Sequence, residues 1–245
     1  MKEIKYSIII PTLNEEKLIE RLLSSLVDFR RDAGFDFELI ISDGGSTDKT
    51  LDIAIMYADI LKINSKGIKQ TIAAGRNNGA RIASGDILIF LNADIIIPDI
   101  KSFFTFLNEE FYPSDSIALT CFVKISPGEE TTLDKLYHFG YNNYFRLLNL
   151  VGVGMGRGEC QVIRRSYFEK VNGYNRELAA GEDFDLFRRL RKLGKIIFTN
   201  RIFVYESPRR FRKLGYANVT WSWIKNGFSV FLRKKAISSV WEEVR

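Results

Sequence analysis

Three short polar loops follow apolar segments of the chain and carry side chains that could bind a charged ligand. They read PTLNEE at 11–16, SDGGSTD at 42–48 and NAD at 92–94. In the stretch DILIFLNADIII, Asp94 stands directly after a run of apolar residues, where an unpaired carboxylate would be costly. Such a carboxylate either caps a turn or binds a cation in a cleft, and both interpretations are open at this point.

Other residue types in the chain suit the same kind of ligand. Arg76 lies in the helix-like stretch AAGRNNGARIASGD, and a guanidinium facing strand ends could bind a diphosphate, although a solvated arginine is the simpler interpretation. Asp43 precedes two glycines of a turn that leaves it without a structural role, so it could accept a hydrogen bond from a nucleotide base. Glu182 and Asp183 begin a helix-like stretch, where acids also suit the helix dipole.

Alternating strand and helix patterns in the first half predict how these loops are positioned. Apolar strand segments are predicted at Tyr6–Ile10, Phe37–Ile41, Ile60–Ile63 and Ile87–Leu91. Helices are predicted at Lys17–Val27, at Thr47–Ala58 with Thr47 as N-cap, and at Gln70–Ala83. This alternation predicts an α/β fold with a mostly parallel, doubly wound central sheet flanked by helices. Ligands bind at the carboxyl ends of such strands, where the three polar loops would meet.

The second half is more mixed and ends in a segment of different composition. Strands are predicted at Ile117–Ile125, Cys160–Ile163 and Ile196–Tyr205, helices at Thr131–Leu150 and Glu182–Leu193, and a glycine-rich loop at 151–159. We expect one domain at 1–207, with halves at 1–97 and 98–207. A helical extension follows at 208–245. His138, the only histidine, is expected to be a packed core residue rather than a metal ligand.

The composition excludes several classes of protein. A chain of 245 residues with 46% hydrophobic and 27% charged residues is typical of a globular domain and not of a disordered protein. Cys121 and Cys160 are too far apart for a CxxC metal site, so a reducing cytoplasm is expected. The first residues show no signal-peptide pattern, and no apolar run approaches the roughly 18 residues of a membrane span.

The C-terminal segment holds the excess positive charge. Residues 209–245 contain nine Lys or Arg, two Glu and all three tryptophans, whereas the whole chain has a net charge of +6. Ala217, Trp221, Ile224, Phe228 and Phe231 form one helical stripe. The stripe could pack on the catalytic domain, or it could lie on an anionic membrane, at the inner face of the cell membrane. No recognised motif supports nucleic-acid binding.

The polar segments, taken in order, resemble the family 2 glycosyltransferases of the GT-A fold. The resemblance is carried by PTLNEE, SDGGSTDKT, AAGRNNGARIASGDILIFLNAD, GRGECQVIRRSYFEKVNGYN and GEDFDLFRRLRKLG, over about residues 5–205. It implies transfer of a sugar from a nucleotide-diphosphate sugar, with inversion at the anomeric carbon. It also implies that 1–207 is the catalytic domain, with a nucleotide-sugar-binding half at 1–97 and an acceptor-binding half at 98–207. UDP- or GDP-sugar is the expected donor, and Mn²⁺ or Mg²⁺ the expected cofactor.

The resemblance also implies roles for individual residues. Donor-binding residues would be Pro11, Thr12, Asn14, Glu15, Asp43, Gly44, Arg76, Asn92 and Ala93. Asp94 would bind the metal, Asp183 would be the acceptor-activating base with Glu182 beside it, and Gly156, Arg157 and Gly158 would contact the acceptor. Asn92 replaces the first acid of the family's DxD, so we expect weak metal binding in the absence of donor. The helix dipole is expected to lower the pKa of Asp183.

The acceptor determines whether a base is needed. A polyprenyl phosphate is already anionic, and Arg209 and Arg210 could then position its phosphate. A sugar hydroxyl, even in a lipid-linked glycan, requires Asp183 as base. Three other functions stay open at this point: a nucleotidyltransferase of similar sheet, a non-catalytic nucleotide-sugar-binding protein, and a membrane scaffold that uses only the tail.

Overall fold

The chain forms one mixed β-sheet covered by helices on both faces. The computed structural model describes residues 6–64, 70–178 and 180–233, with side chains as far as residue 226. The end of the predicted basic extension, from residue 234 onwards, lies outside the described residues. The strands of the described residues are β1 (Tyr6–Thr12), β2 (Phe37–Asp43), β3 (Ile60–Ile63), β4 (Ile87–Leu91), β5 (Ala118–Ile125), β6 (Cys160–Arg164) and β7 (Ile196–Glu206).

The strand order is β3-β2-β1-β4-β6-β5-β7. Strands β1 to β4 pair in parallel, as does β5 with β7, whereas β6 runs antiparallel to both of its neighbours. The predicted mostly parallel α/β sheet is therefore confirmed. The direction of β6 was not predicted, because an apolar run of five residues indicates a strand but not its orientation.

The described helices cover the two faces of this sheet. They are α1 (Ile19–Ala33), α2 (Thr50–Ala54), α3 (Ile72–Ile82), α4 (Ile100–Phe106), α5 (Thr132–Leu150), α6 (Arg165–Lys170), α7 (Glu182–Arg191), α8 (Arg209–Leu214) and α9 (Tyr216–Arg233). A π-helical turn, Leu107–Phe111, continues α4. One apolar cluster lies under α1 and α4, and another lies under α3, α6 and α7. None of the described helices is both long enough and apolar enough to span a bilayer.

Two local predictions were wrong in instructive ways. Helix α2 begins at Thr50, not at Thr47, and Lys49 at its N-cap makes no side-chain capping bond. Thr47 is instead bound to the preceding loop, since its backbone N–H and its hydroxyl both donate to the side-chain oxygen of Asn14. Strand β1 continues through Pro11 to Thr12, beyond Ile9 where its pairing with β4 ends. Both differences bring the first two polar loops into contact.

Candidate active site

Two glycines of α3 bring this helix close to the end of β1. A Cβ at residue 79 would lie 2.4 Å from Cγ2 of Ile9, and one at residue 75 would lie 3.2 Å from Cβ of Pro11. Only residues without a side chain permit this separation between helix and strand. As a result the side chain of Arg76 enters the space beyond the strand ends.

Arg76 connects three segments of the candidate site. Its guanidinium donates to Glu182 at 2.9 Å, to the side-chain oxygen of Asn92 at 3.0 Å and to the carbonyl oxygen of Gly158 at 2.7 Å. The side chain is 1% exposed and lies over the ring of Tyr174. The geometry thus gives Arg76 a positioning role toward Glu182 and Asn92, and its contact with a diphosphate stays a prediction.

The first two polar loops are held together by Asp43, which has the structural role that the sequence did not reveal. Its Oδ1 accepts the backbone N–H groups of Gly45 and Ser46, each at 2.8 Å, and its Oδ2 accepts the hydroxyl of Thr12 at 3.0 Å. Gly44 donates its N–H to the carbonyl of Thr12 at 2.8 Å. Asp43 is completely buried, and its contact with a nucleoside stays a prediction.

Asn14 adds a second connection between the same loops. It adopts a left-handed backbone (φ 56°), which asparagine tolerates better than most residues. Its N–H donates to the hydroxyl of Ser46 at 2.9 Å, and its side-chain oxygen accepts the N–H of Thr47 at 2.9 Å. The two loops therefore form one preorganised wall at the carboxyl edge of the sheet.

Arg209 lies between two predicted donor-site carboxylates. Its Nη2 is 2.9 Å from each carboxylate oxygen of Glu15 and 3.2 Å from Oδ2 of Asp94. Backbone hydrogen bonds in both directions between Ile96 and Tyr205, each 2.9 Å, hold the end of β7 against the segment that follows Asp94. Arg209 was predicted to contact an acceptor phosphate, and this stays a prediction; its described ionic partners are Glu15 and Asp94, because two carboxylates in a partly buried site need a cation.

The protonation of these acids reflects the balance between burial and that cation. Burial raises the pKa of Asp94, while the charge of Arg209 opposes the rise. Burial likewise raises the pKa of Glu15, and Arg209 again works against it. Arg210 also lies within electrostatic range of Asp94 and lowers its pKa. Both arginines therefore favour the ionised form of Asp94.

The residues around Asp94 fit a divalent cation whose remaining coordination positions are filled by a bound ligand. Asp94 offers a carboxylate at a strand end, and Mg²⁺ and Mn²⁺ accept one or two carboxylates together with phosphate oxygens and water. Within the described ranges, no group of three His, Cys, Asp or Glu side chains could hold a metal by itself. Asp94 is also paired with Arg209, and weak metal binding in the absence of donor stays a prediction.

The glycine-rich loop at 151–159 packs tightly on α7. A Cβ at residue 154 would lie 2.5 Å from Cβ of Arg191, and one at residue 156 would lie 2.4 Å from the ring of Phe187. A Cβ at residue 158 would lie 3.2 Å from Oδ2 of Asp183. The glycines thus let the loop lie against the helix that carries the candidate base, and Gly158 leaves space at its carboxylate.

The end of this loop carries a buried ionic cluster. Arg157 donates to Glu159 at 3.1 and 3.2 Å and to Glu206 at 3.1 Å, and it is 2% exposed. Arg157 was predicted to contact the acceptor, but its described ionic partners are these two carboxylates. Glu159 and Glu206 were not among the predicted site residues. The only sequence signal for them was their place at the last residue of the glycine-rich loop and at the end of β7.

His138 is a packed core residue, as predicted. It lies between the rings of Tyr137 and Phe211, and its Nδ1 is 3.6 Å from a carboxylate oxygen of Glu206. Burial, assisted by the charge of Arg157, lowers the pKa of His138 to about 4. The imidazole is therefore neutral at pH 7.

Asp183 occupies the first turn of α7 and is partly exposed. Burial raises its pKa to about 8, the charge of Glu182 adds to the rise and Arg76 opposes it. The predicted fall in pKa was wrong, because burial and a neighbouring acid outweigh the helix dipole at this position. A carboxyl group with a pKa near 8 is a stronger base, once ionised, than an ordinary aspartate.

The remaining predicted residues lie at the same edge of the sheet. Pro11 packs against α3, Ala93 is buried between Asn92 and Asp94, and the N–H of Asn92 donates to the carbonyl oxygen of Glu159 at 3.2 Å. Glu159 lies within electrostatic range of both Asp94 and Asp183. The predicted metal ligand and the predicted base thus face the same region.

Comparison with known proteins agrees with this architecture. The profile of glycosyl transferase family 2 matches residues 7–171. A PGL/p-HBAD biosynthesis glycosyltransferase of Mycobacterium bovis is 32% identical over 195 residues, which cover 74% of this chain and 67% of the relative. A validoxylamine A glucosyltransferase of Streptomyces hygroscopicus subsp. limoneus is 39% identical over 93 residues, which cover 37% of this chain and a smaller share, 20%, of the relative.

The fold is that of solved glycosyltransferases. The mannosyltransferase PcManGT of Pyrobaculum calidifontis, in complex with GDP-Man and Mn²⁺, has a TM-score of 0.63 and covers 91% of this chain and 64% of its own. At 20% identity this likeness concerns the fold, and it confirms the predicted GT-A architecture. Because the family profile covers more than half of the sequence, and the mycobacterial relative is matched over two thirds of its length, the chain belongs to glycosyl transferase family 2.

Proposed function

We propose that the protein transfers a hexosyl group from a UDP- or GDP-sugar, with inversion, to a hydroxyl of a lipid-linked acceptor. The observation that carries the proposal is the environment and basicity of the Asp183 carboxyl group. This carboxyl group is partly exposed, has space beside Gly158, and has a pKa raised by burial to about 8. A positioned group of that basicity suits removal of a proton from an alcohol.

The reaction can be written with named atoms. A carboxylate oxygen of Asp183 accepts the acceptor's hydroxyl proton while the hydroxyl oxygen bonds to the anomeric carbon of the donor. The bond from that carbon to the diphosphate oxygen breaks on the opposite face, which inverts the configuration. The transition state has oxocarbenium character, as in glycoside hydrolysis. The nucleoside diphosphate leaves with the bonding electrons.

The nucleotide-sugar donor would bind against the wall that the first two polar loops form. The preorganised turn around Asp43, together with Asn14 and Glu15, supports the placement of the nucleoside there. Asp94 would hold Mn²⁺ or Mg²⁺, and the bound cation would neutralise the charge that develops on the diphosphate. PcManGT was solved with GDP-Man and Mn²⁺, which supports this class of donor and cofactor.

The proposal favours a hydroxyl acceptor over a polyprenyl phosphate. A phosphate oxygen needs no base, so a basic Asp183 would have no task in that reaction. Two arginines predicted at the acceptor have carboxylate partners instead: Arg157 has Glu159 and Glu206, and Arg209 has Glu15 and Asp94. The lipid part of the acceptor rests on the basic residues from 209 onwards, which would attract an anionic membrane at the inner face of the cell membrane.

The variant Asp183→Asn tests the base. It should lower kcat for hydroxyl acceptors by about 10²–10⁴-fold, since that is the usual contribution of general base catalysis. Donor binding, measured by thermal shift with UDP- and GDP-sugars with and without Mn²⁺, should be preserved. Asp185→Asn, on the same helix but paired with Arg189, is the matched control and should keep its activity.

The assay measures release of UDP or GDP with soluble sugars, polyprenyl-diphosphate-linked sugars and polyprenyl phosphate as acceptors. An unchanged kcat of Asp183→Asn with a sugar acceptor would overturn the base assignment. Transfer to polyprenyl phosphate alone would overturn the hydroxyl acceptor. Donor binding without turnover on any acceptor would favour a non-catalytic binding protein.

A further inference from the structure

Helix α5 exposes an apolar face along most of its length. Its outward side chains include Leu136, Phe139, Leu147 and Leu150, which recur at helical spacing, with Leu133, Tyr144 and Val151 beside them. Phe139 is 71% exposed and Leu150 is 74% exposed. The opposite side of α5 is buried through Asp134, His138, Asn142 and Phe145. The helix is thus apolar on a side that the rest of the described protein does not cover.

Helix α9 extends this face. The two helices meet through Tyr137 and Tyr141 of α5, which contact Tyr216, Thr220 and Trp223 of α9. Each helix buries the flank on one side of this contact, α9 through Val219 and Asn226. On the other side of the contact α9 exposes Trp221 and Ile224, by 60% and 56%. Since α5 exposes Tyr144 and Leu133 next to the same contact, the two exposed flanks form one surface, which we call the α5–α9 face.

Cations predominate among the charged side chains around the α5–α9 face, although Glu130, just before α5, lies 3.6 Å from Lys135. Lys135 and Arg146 flank the apolar stripe of α5, and Lys225 lies against the ring of Trp221. The single acid in the sequence of the two helices is Asp134, which is buried and paired with Arg212. Apolar and aromatic side chains bordered by cations are typical of a surface that enters the headgroup region of an anionic bilayer.

A second copy of this chain fits the face less well. A two-fold interface brings the same patch of both copies together, so that each surface must complement itself. Here the patch would bring Arg146 and Lys225 of one copy near the same cations of the other, and Glu130 is already paired with Lys135. An anionic membrane supplies the missing negative charge, and it also accommodates the indole of Trp221 at the level of its headgroups.

We infer that the α5–α9 face docks the protein on an anionic membrane. The inward side of α5 forms part of the site: Phe145 packs on Phe184, the neighbour of Asp183, and Arg157 lies over the rings of Tyr141 and Phe145. Docking would therefore bring the membrane close to the proposed base. Only this link to a lipid-linked acceptor rests on the proposed function; membrane binding itself does not.

The inference is tested by flotation of the full chain with vesicles of phosphatidylcholine, with and without phosphatidylglycerol. The chain should float with the anionic vesicles and less with neutral ones. The double variant Phe139→Gln/Leu150→Gln should weaken this binding by about tenfold or more, because two large apolar side chains no longer enter the bilayer. Ile55→Gln/Met56→Gln is the matched control: these side chains are 70% and 64% exposed on another surface, and binding should stay unchanged.

A third variant separates charge from apolar contact. Lys135→Gln/Arg146→Gln should reduce the preference for phosphatidylglycerol while binding to neutral vesicles stays the same. Thermal melting and donor binding confirm that each variant is folded. Equal flotation of the Phe139→Gln/Leu150→Gln variant and its control would overturn the inference. A dimer in light scattering that this variant dissociates, without flotation of the wild type, would identify the face as a contact between copies instead.

Flotation needs neither donor nor transfer. Its failure would leave the glycosyltransferase function standing, whereas a loss of transfer in Asp183→Asn with normal flotation concerns only the base.

Discussion

At the residue scale, the candidate site shows how neighbours override a local rule. The first turn of a helix favours an ionised acid, and that rule alone predicts a low pKa for Asp183. Burial and the adjacent charge of Glu182 reverse the result and raise the pKa to about 8. Glu182 itself is held by the buried guanidinium of Arg76 at 2.9 Å. The sequence places Glu182 and Asp183 correctly on α7, but the burial of Asp183 depends on contacts with distant segments.

The raised pKa predicts how activity depends on pH. Asp183 must lose its proton to act as base, so kcat/KM for a hydroxyl acceptor should rise about tenfold per pH unit below roughly pH 8 and level off above it. Glu182→Gln removes a negative neighbour and frees the charge of Arg76, and both changes stabilise the ionised Asp183. The rise should therefore move to lower pH in this variant. A pH profile that stays in place in Glu182→Gln would contradict the electrostatic explanation.

The position of Arg209 predicts that its guanidinium competes with the metal ion for the carboxylate of Asp94. Its guanidinium occupies the space between Glu15 and Asp94, at 2.9 and 3.2 Å. Arg209→Gln leaves two carboxylates without their cation, so Mn²⁺ should bind the donor-free protein more tightly, by about tenfold if one unit charge near 4 Å is removed in a partly screened site. Calorimetric titration of Mn²⁺ measures this affinity. Arg201→Gln, at an exposed pair with Glu110, is the control, and equal affinities in both variants would contradict the competition.

At the element scale, the sequence predicted the elements whose signals are local. The strands that end in the three polar loops were found because each is an apolar run closed by turn residues, and α1 because its apolar residues recur at helical spacing. Helix α6 was not predicted. The direction of β6 was not predicted either, because the pairing between β4 and β6 is a long-range property. The glycine-rich loop was predicted from its composition, but its packing on α7 follows only from the structure.

That contact predicts the effect of a methyl group at the loop. In Gly156→Ala the Cβ would meet the ring of Phe187 at 2.4 Å, so the loop or α7 must move. We expect a loss of about 1–3 kcal/mol in the free energy of unfolding, which is typical of overpacking. Gly140→Ala on α5 meets no atom within 4 Å and should be neutral or stabilising, since alanine favours a helix. Urea denaturation of both variants decides, and equal stability would show that the loop adapts freely.

At the scale of the whole molecule, the predicted C-terminal extension packs against the rest of the protein as far as it is described. Arg209 reaches the loop between β1 and α1, Phe211 is buried against Tyr137, and Arg212 pairs with Asp134 at the start of α5. Composition separates this segment from the rest of the chain, because its charge and tryptophans are distinctive. Its contacts join it to both halves of the predicted domain, and a pattern of charge along the sequence cannot reveal such partners.

The pair of Arg212 and Asp134 predicts how firmly the segment is held. Burial would raise the pKa of Asp134, but the hydrogen bonds and charge of Arg212, with the help of Thr131, lower it to about 2. Because the folded pKa is depressed, this stabilisation is present above about pH 4 and is lost as pH falls toward 2. Arg212→Gln should destabilise the protein by about 1–3 kcal/mol at pH 7, less than for a fully buried pair because the guanidinium is partly exposed.

Chemical denaturation at pH 7 and near pH 3 measures the effect of Arg212→Gln, and the difference from wild type should shrink at the lower pH. Lys213→Gln, the neighbouring cation, serves as control.

The displaced segment should also withdraw Arg209 from Asp94, so that Arg212→Gln tightens Mn²⁺ binding without touching the site. A destabilised variant with unchanged Mn²⁺ affinity would show that α8 holds Arg209 in place without the contact to α5.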